Sequence, residues 1–304
     1  MFVPVFFGPP SKKDPWTRRI GLLQPLQSAM SPFEKIGIDT LGPFRRSQSG
    51  NEKIIVITGY MSKWAIAKAV PRENAGEIAQ LLIDEVILKF GAPEVIISDR
   101  GKSFNTELMK NLYREFNSKH IASTPYHPQT NGLTERFNKT LAIMLSMYVS
   151  NNHRDWDQYL KYVVFAYNTV EQDSTGYAPF YLLFGCQARM VTDVVDMNEN
   201  IEGTERLERL HEARELAIRA NRAAQGSQKR YYDRKRFIQQ FNEGDLVLIH
   251  RARGYTGQTT KLRHPYEGPF RIIARNSDLV YLVENLNKKL RRPQQELVHV
   301  SRMK

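Results

Sequence analysis

Three apolar, β-branched runs follow one another early in the chain, and everything after them alternates between helix and strand patterns. That order limits the fold more than any other feature. Ile36–Leu41 reads as a strand that ends in a Gly42-Pro43 turn, Lys53–Tyr60 is a β-branched run, and Lys63–Val70 alternates enough to pair with it. Three antiparallel strands are therefore expected. Asn74 stands where a helix cap belongs, ahead of Ile78, Leu81, Leu82, Val86 and Ile87 at helical spacing, and Gly91 and Pro93 end that helix after about Phe90. A short buried strand, Glu94–Ser98, is followed by a helix over about Thr106–Asn117 and a strand near Ile121. Pro125–Gly132 must be a loop, since it holds two prolines and closes on glycine. Helices are expected over about Leu133–Ser150 and Trp156–Thr169. Together these elements predict an α/β layer, a mixed sheet with helices on its faces. Trp64, Trp156, Tyr162 and Phe165 fit core positions at this spacing.

The flanks read differently. Residues 1–31 mix proline, glycine and charge without periodicity, as a lead-in. Glu205–Arg236 is dense in Glu, Arg and Ala, which predicts a largely solvent-facing helix. From Phe241 strand patterns return at Leu246–His250, Phe270–Ala274, Val280–Glu284 and around Val298, punctuated by Gly244, Gly268-Pro269 and Asn276. The resulting division is a lead-in over 1–31, an α/β core over 32–189, a basic helical linker over 190–240, and a small all-β barrel module over 241–304.

Composition narrows the partners. Forty-four Lys and Arg against thirty-two Asp and Glu leave a net charge of +12, which favours a polyanion, because phosphate neutralisation releases condensed counterions. A soluble basic protein with no specific partner has the same composition. One cysteine, Cys186, excludes an internal disulfide and suits a reducing compartment. No run reaches the 18 or so apolar residues of a membrane span, and the short Met1–Phe7 run does not read as a signal peptide.

Three carboxylates occupy positions that packing does not call for. Asp39 lies within the apolar run Gly37-Ile38-Asp39, Asp99 falls where Val95-Ile96-Ile97-Ser98 runs out, and Glu135 opens the long helix behind the proline- and glycine-bearing loop. A carboxylate among apolar strand residues is costly to bury unless paired or bound to metal. Hard oxygen ligands on two strands and a helix start suit Mg²⁺ or Mn²⁺. Two such ions about 3.5–4 Å apart activate a water or 3′-hydroxyl and stabilise a leaving oxygen. Each residue taken alone is more readily a salt-bridge partner or helix cap; the three together reverse that balance and favour a site.

Asp99 and Glu135 are separated by 35 residues, 100–134. Around them stand Ile97-Ser98-Asp99-Arg100-Gly101, then Thr124-Pro125-Tyr126-His127-Pro128-Gln129-Thr130-Asn131-Gly132, then Glu135-Arg136-Phe137-Asn138-Lys139. This string resembles the integrases of gypsy-type LTR retrotransposons and the Asp, Asp-35-Glu signature of retroviral integrases. The likeness runs on through Gly21-Leu22-Leu23-Gln24-Pro25-Leu26, Thr175-Gly176-Tyr177-Ala178-Pro179-Phe180 with Leu183-Phe184-Gly185, and His264-Pro265-Tyr266-Glu267-Gly268-Pro269-Phe270. It covers nearly everything from Gly21 to Lys304.

The resemblance implies an RNase H-like core, with Asp39, Asp99 and Glu135 as catalytic residues and ligands of two Mg²⁺ or Mn²⁺ ions. The implied chemistry is 3′-end processing of element DNA and strand transfer into target DNA, without a covalent enzyme intermediate. The implied partners are element ends, target DNA and further copies of the chain, in the nucleus after passage through the cytoplasm. Tyr126, Gln129 and Asn131 are expected against the DNA end. Asn138 and Lys139 share a helix face with Glu135, Lys139 placed for a phosphate and Asn138 for bracing the loop or a metal ligand. His127 reads as a loop-stabilising imidazole. Lys229, Arg230, Arg234, Lys235 and Arg236, interleaved with Tyr231 and Tyr232, form a basic stripe that contacts phosphate or is merely solvated. Lys261, Arg263 and Arg271 are weaker contact candidates.

One part of the pattern is missing. Integrases of this family carry an N-terminal His-His-Cys-Cys zinc module, whereas here no Cys or His precedes His120. Zinc is not implied, and the sequence reads as a piece of a longer polyprotein or as a degraded or host-captured copy. Two other readings stand beside integrase: a non-enzymatic DNA- or chromatin-binding remnant, and a ribonuclease H or transposase on the same fold. The 35-residue spacing and the Gly-Pro-Phe segment weigh against the last two.

Overall fold

The computed structural model describes residues 19–20, 23, 25–123, 132–190, 203–234, 236–237, 240–250, 266–277, 279–286 and 295–304. The chain divides into two compact units, Pro25–Gly226 and Met1–Gln24 with Ser227–Lys304. Strand β1 (Arg19–Ile20) belongs to the second.

The first unit is built on a five-stranded mixed sheet. Strands β2 (Lys35–Leu41), β3 (Lys53–Gly59) and β4 (Ala65–Val70) form an antiparallel meander, and β5 (Val95–Ser98) and β6 (Lys119–Ala122) extend it in parallel on the far side of β2, giving the order β4-β3-β2-β5-β6. Helices cover both faces, because alternate residues of the strands are apolar in both directions. Ile36, Ile38, Ile55 and Ile57 pack with Ile78, Leu82, Val86, Met109 and Leu112 on one face, and Ile54, Val56 and Ala65 pack with Phe137, Leu141, Trp156 and Val163 on the other. A sheet buried on both sides fits the near-continuous hydrophobicity of these strands.

The helices follow local signals closely. Asn74 caps α1 (Ala75–Leu82) by accepting from the Glu77 N–H. A π-type turn over Ile83–Ile87 and α2 (Leu88–Phe90) complete this rod, which stops at Gly91 with φ +93°. Thr106 caps α3 (Glu107–Glu115). Helix α4 (Gly132–Ser146) ends four residues earlier than the sequence suggests: Met147 and Tyr148 fold back in tight turns onto Met144 and Leu145. Helices α5 (Trp156–Thr169) and α6 (Pro179–Phe184) follow. Trp156 is core, and Trp64 is half-buried against Phe180 and Phe184, but Tyr162 and Phe165 are not core: they are 63% and 44% exposed. The face of α5 that meets the sheet carries Trp156, Leu160, Val163 and Asn168, and the two aromatics fall outside it.

Helix α7 (Gly203–Asp233) adds a detail that the sequence did not show. Most of its residues are exposed, as the sequence leads one to expect, but one stripe, Leu210, Ala213, Ala217, Ile218 and Asn221, is buried. Ala213 and Ala217 are small enough to let the helix approach Leu182, Arg206 and Arg214 donate to the terminal carbonyls of α6, and Asn221 donates to the Met61 carbonyl at 3.0 Å. Arginines at a helix C-terminus satisfy carbonyls that the helix itself leaves open.

In the second unit β1 pairs in parallel with β7 (Arg236–Phe237). Strands β8 (Leu246–His250), β9 (Tyr266–Arg275), β10 (Val280–Asn285) and β11 (Gln295–His299) form an antiparallel sheet in the order β11-β10-β9-β8 over a core of Val247, Ile249, Phe270, Ile272, Tyr281, Val283 and Val298. Among the described residues this is an open sheet and not the closed barrel expected, because the chain returns to β8 only through a single bridge, Ile249 with Met303. Gly268 lies within β9 at φ +150°, where a Cβ would stand 3.1 Å from the Val247 carbonyl oxygen, so glycine is required for the strands to pair there.

Candidate active site

Strand pairing delivers the first two carboxylates. Strands β2 and β5 run parallel with Gly37 opposite Ile97, and continuing that register by two residues sets Asp39 level with Asp99. Asp39 is half-buried. Its Oδ1 accepts from the Thr40 N–H at 2.9 Å and its Oδ2 from Asn138 Nδ2 at 2.9 Å. Asp99 is exposed, and its Oδ1 accepts from the Gly101 N–H at 2.8 Å. A Cβ on Gly101 would stand 2.9 Å from that oxygen, so the glycine leaves room for the carboxylate. The neighbouring Ser98 is buried, and its hydroxyl donates to the Asp99 carbonyl and meets His120 Nε2 at 2.9 Å. Burial draws the His120 pKa down.

Helix α4 supplies the third. Its inner face carries Thr134, Phe137, Asn138, Leu141 and Leu145, which leaves Glu135, Arg136 and Lys139 exposed on the outer side. Burial pushes the Asp39 pKa up to about 6; the Thr40 N–H acts against this, and the negative fields of Asp99, Glu135 and Glu73 add to it. Asp39 thus lies within reach of the charges of Asp99 and Glu135. Among the described residues, however, no three His, Cys, Asp or Glu side chains form a group that could hold a metal ion. Asp39 feels the charges of the other two, but the three carboxylates do not stand at ligating separations. The donor set still fits a hard cation: three oxygen-bearing side chains, one with its proton affinity raised mainly by burial and further by the others' charge, suit Mg²⁺ or Mn²⁺, which favours the charged carboxylate forms. Asn138 Oδ1, buried beside Asp39, has no hydrogen-bond partner.

The other sequence candidates are scattered. Asn138 is only 7% exposed and braces Asp39, whereas Lys139 is open to solvent. Lys229 is committed internally, to the Leu23 carbonyl and to Asp233 at 2.8 Å, so it is not a free cation. Arg230 bonds Ser227, and Arg230 and Arg234 lie at the surface, as does Arg271 on β9. Tyr126, His127, Gln129, Asn131, Lys235, Lys261 and Arg263 lie outside the described residues, and nothing is described of the Arg236 side chain.

Sequence reading missed a polar layer behind Glu135. The hydroxyls of Thr58 and Thr134 are 2.8 Å apart, both fully enclosed. Lys63, at φ +64°, donates to the Tyr60 carbonyl, and burial, reinforced by Arg136, pulls its pKa down to about 7. Only Thr134 left a trace in the sequence, at helical spacing with Phe137, Asn138 and Leu141.

No family model matches the chain. In sequence it is similar to the retrovirus-related Pol polyprotein from transposon 412 of Drosophila melanogaster, 29% identical over 284 residues that cover 90% of this chain and 22% of that polyprotein. It is also similar to the transposon Tf2-3 polyprotein of Schizosaccharomyces pombe, 27% identical over 266 residues, 84% of this chain and 19% of the relative. The chain therefore spans about a fifth of the length of these relatives. In structure it is similar to a chain of the simian T-cell lymphotropic virus intasome in complex with PP2A regulatory subunit B56 gamma, with a TM-score of 0.56 at 13% identity, covering 94% of this chain and 83% of that one. At that identity the likeness speaks for the fold, which is the RNase H-like one expected. The kinship with LTR retrotransposons read from the motifs is borne out by these relatives.

Proposed function

We propose that this chain, a relative of retrotransposon Pol polyproteins, is the integrase of a gypsy-type LTR element, a polynucleotidyl transferase that trims the 3′ ends of element DNA and joins them to target DNA. What supports this reading is that the Asp39 carboxylate, half-buried on β2, feels the negative charges of Asp99 and Glu135, in a fold shared with an intasome chain. Asp39, Asp99 and Glu135 would hold two Mg²⁺ or Mn²⁺ ions, which when bound activate the attacking oxygen and stabilise the leaving one.

The chain's own residues prepare this chemistry. Thr40 N–H and Asn138 aim the Asp39 carboxylate, and the Gly101 N–H aims that of Asp99. Lys139 stands one helical turn after Glu135 on the outer side of α4, where an ammonium contacts a backbone phosphate. In joining, the element's 3′-oxygen bonds to a target phosphorus as that phosphorus releases its own 3′-oxygen, so one phosphodiester replaces another and no enzyme-bound intermediate forms. The net charge of +12 favours both DNA substrates, with Arg230, Arg234 and Arg271 as further phosphate contacts. We read residues 32–189 as the catalytic core, 190–240 as the helical connection and 241–304 as the β module. The chain works as a homo-oligomer on paired ends, in the nucleus. Among the described residues no helix is long and apolar enough to cross a membrane.

The test uses the chain and its Glu135→Gln variant with a labelled element end, target DNA and Mg²⁺ or Mn²⁺. Trimmed and joined products from the unmodified chain alone support the reading. DNA binding without products from either would move the chain to the class of non-catalytic DNA-binding remnants.

A further inference from the structure

We infer that the buried hydroxyl pair Thr58–Thr134 is a positioning device for Glu135: it fixes how α4 is seated on the sheet, and so how tightly the three carboxylates bind a divalent cation. This rests on the reading of those carboxylates as a metal site. Thr58 and Thr134 are 1% and 0% exposed, and their hydroxyls meet at 2.8 Å across 76 residues of chain. Thr134 immediately precedes Glu135. Thr58, on β3, lies opposite Gly37 in the ladder with β2, two residues before Asp39. One hydrogen bond therefore ties the helix that carries the third carboxylate to the ladder that carries the first.

Most of the rest of the helix–sheet contact on this face is apolar. Phe137, Leu141 and Leu145 meet Ile54, Val56 and Ala65 through apolar contact, which is non-directional. Close packing resists gross displacement of the helix but fixes no bond direction, and one residue of axial slip moves a side chain by about 1.5 Å and about 100°. The second directional tie is Asn138 Nδ2 to Asp39 Oδ2, one turn further along the same face. Residues 134 and 138 thus clamp the helix just before and just after Glu135. Asn138 touches the carboxylate itself, whereas the threonine pair touches no reacting group, so its role is positioning.

Stability does not require the pair. Two valines would fill the same volume and leave no polar atom to satisfy, a replacement that is often close to neutral. What they would lose is direction.

The experiment measures Mn²⁺ binding by calorimetry on the full chain without DNA, alongside thermal melting and the metal dependence of DNA joining. The double variant Thr58→Val/Thr134→Val is expected to melt within a few degrees of the unmodified chain, to bind Mn²⁺ roughly 10-fold more weakly, and to need correspondingly more metal for half-maximal joining. Unchanged Mn²⁺ affinity in a folded double variant overturns the proposal. If the double variant does not fold, the single variants decide. Thr134→Ser keeps the hydroxyl and should bind as the unmodified chain does; Thr134→Val keeps the shape and should bind more weakly. Equal or reversed affinities overturn the proposal. Absence of Mn²⁺ binding by the unmodified chain, with no change in Glu135→Gln, instead overturns the metal-site reading, and the proposal with it.

Discussion

The candidate site has a sheet half and a helix half, held in different ways. Asp39 lies on β2 and Asp99 directly follows β5, two residues beyond Gly37 and Ile97, the last pair of the parallel backbone ladder that sets these strands side by side. Glu135 stands on a helix that no ladder reaches, placed by an apolar face and by two side-chain ties, Thr134 to Thr58 and Asn138 to Asp39. The difference is one of redundancy. Strand registry is shared among many backbone bonds and survives the loss of any side chain, whereas the setting of a helix face depends on a few side chains and is lost with them. Substitutions on the helix side should therefore change metal affinity more than those of equal size beside Asp99.

The largest effects come from the carboxylates, which belong to both halves. Asp39→Asn, Asp99→Asn and Glu135→Gln should each reduce metal-dependent DNA joining by more than about 100-fold while leaving DNA binding intact, a drop larger than that typical of groups that merely support ligands. Joining that persists in Asp99→Asn would take the sheet half out of the site. Next come the ties. Asn138→Ala removes the Asp39 brace and is expected to weaken Mn²⁺ binding by about 10–100-fold, measured by calorimetry. On the sheet side, Gly101→Ala brings a methyl against Asp99 Oδ1, a displacement that the adjoining chain can absorb. Its loss in Mn²⁺ affinity should be below about 10-fold, and a larger loss than in Asn138→Ala would invert the comparison.

The smallest effect is in stability against pH, and it isolates Asp39. Its folded pKa of about 6 lies above the ordinary 3.8, so on raising the pH the unfolded chain gives up this proton first. The metal-free fold is then favoured by this group below about pH 4 and loses that advantage as the pH rises to about 6. The loss is about 1–2 kcal/mol, allowing for partial exposure. Denaturation midpoints in chelator at pH 4.5 and 7.5 should differ less in Asp39→Asn than in the unmodified chain. The variant stays well bonded, because Asn138 can turn its unpartnered Oδ1 toward the new amide. An unchanged pH slope in the variant would mean that Asp39 does not carry the strain assigned to it.

Much of this was legible in the sequence where the determinants are local. The strand runs, the caps Asn74 and Thr106 and the stop at Gly91 lie within a few residues of what they control. Asp39, Asp99 and Glu135 stood out because a carboxylate in an apolar strand or at the head of an amphipathic helix has few packing reasons to be there. Tertiary choices were not legible. Tyr162 and Phe165 fit a buried spacing but lie on the outer side of α5. Ala213 and Ala217 look unremarkable in a charged helix, yet their small size lets α7 seat on Leu182. The basic stripe gave no sign that Lys229 would turn inward to Asp233 and the Leu23 carbonyl. The Thr58–Thr134 bond spans two elements that share no local pattern.

The most direct test of the account is a crystal of the chain soaked in Mn²⁺ and measured for anomalous scattering. The account predicts peaks bounded by the carboxylate oxygens of Asp39, Asp99 and Glu135, lost in Asp39→Asn. Ordered carboxylates with no peak between them, at metal concentrations that support DNA joining, would contradict it.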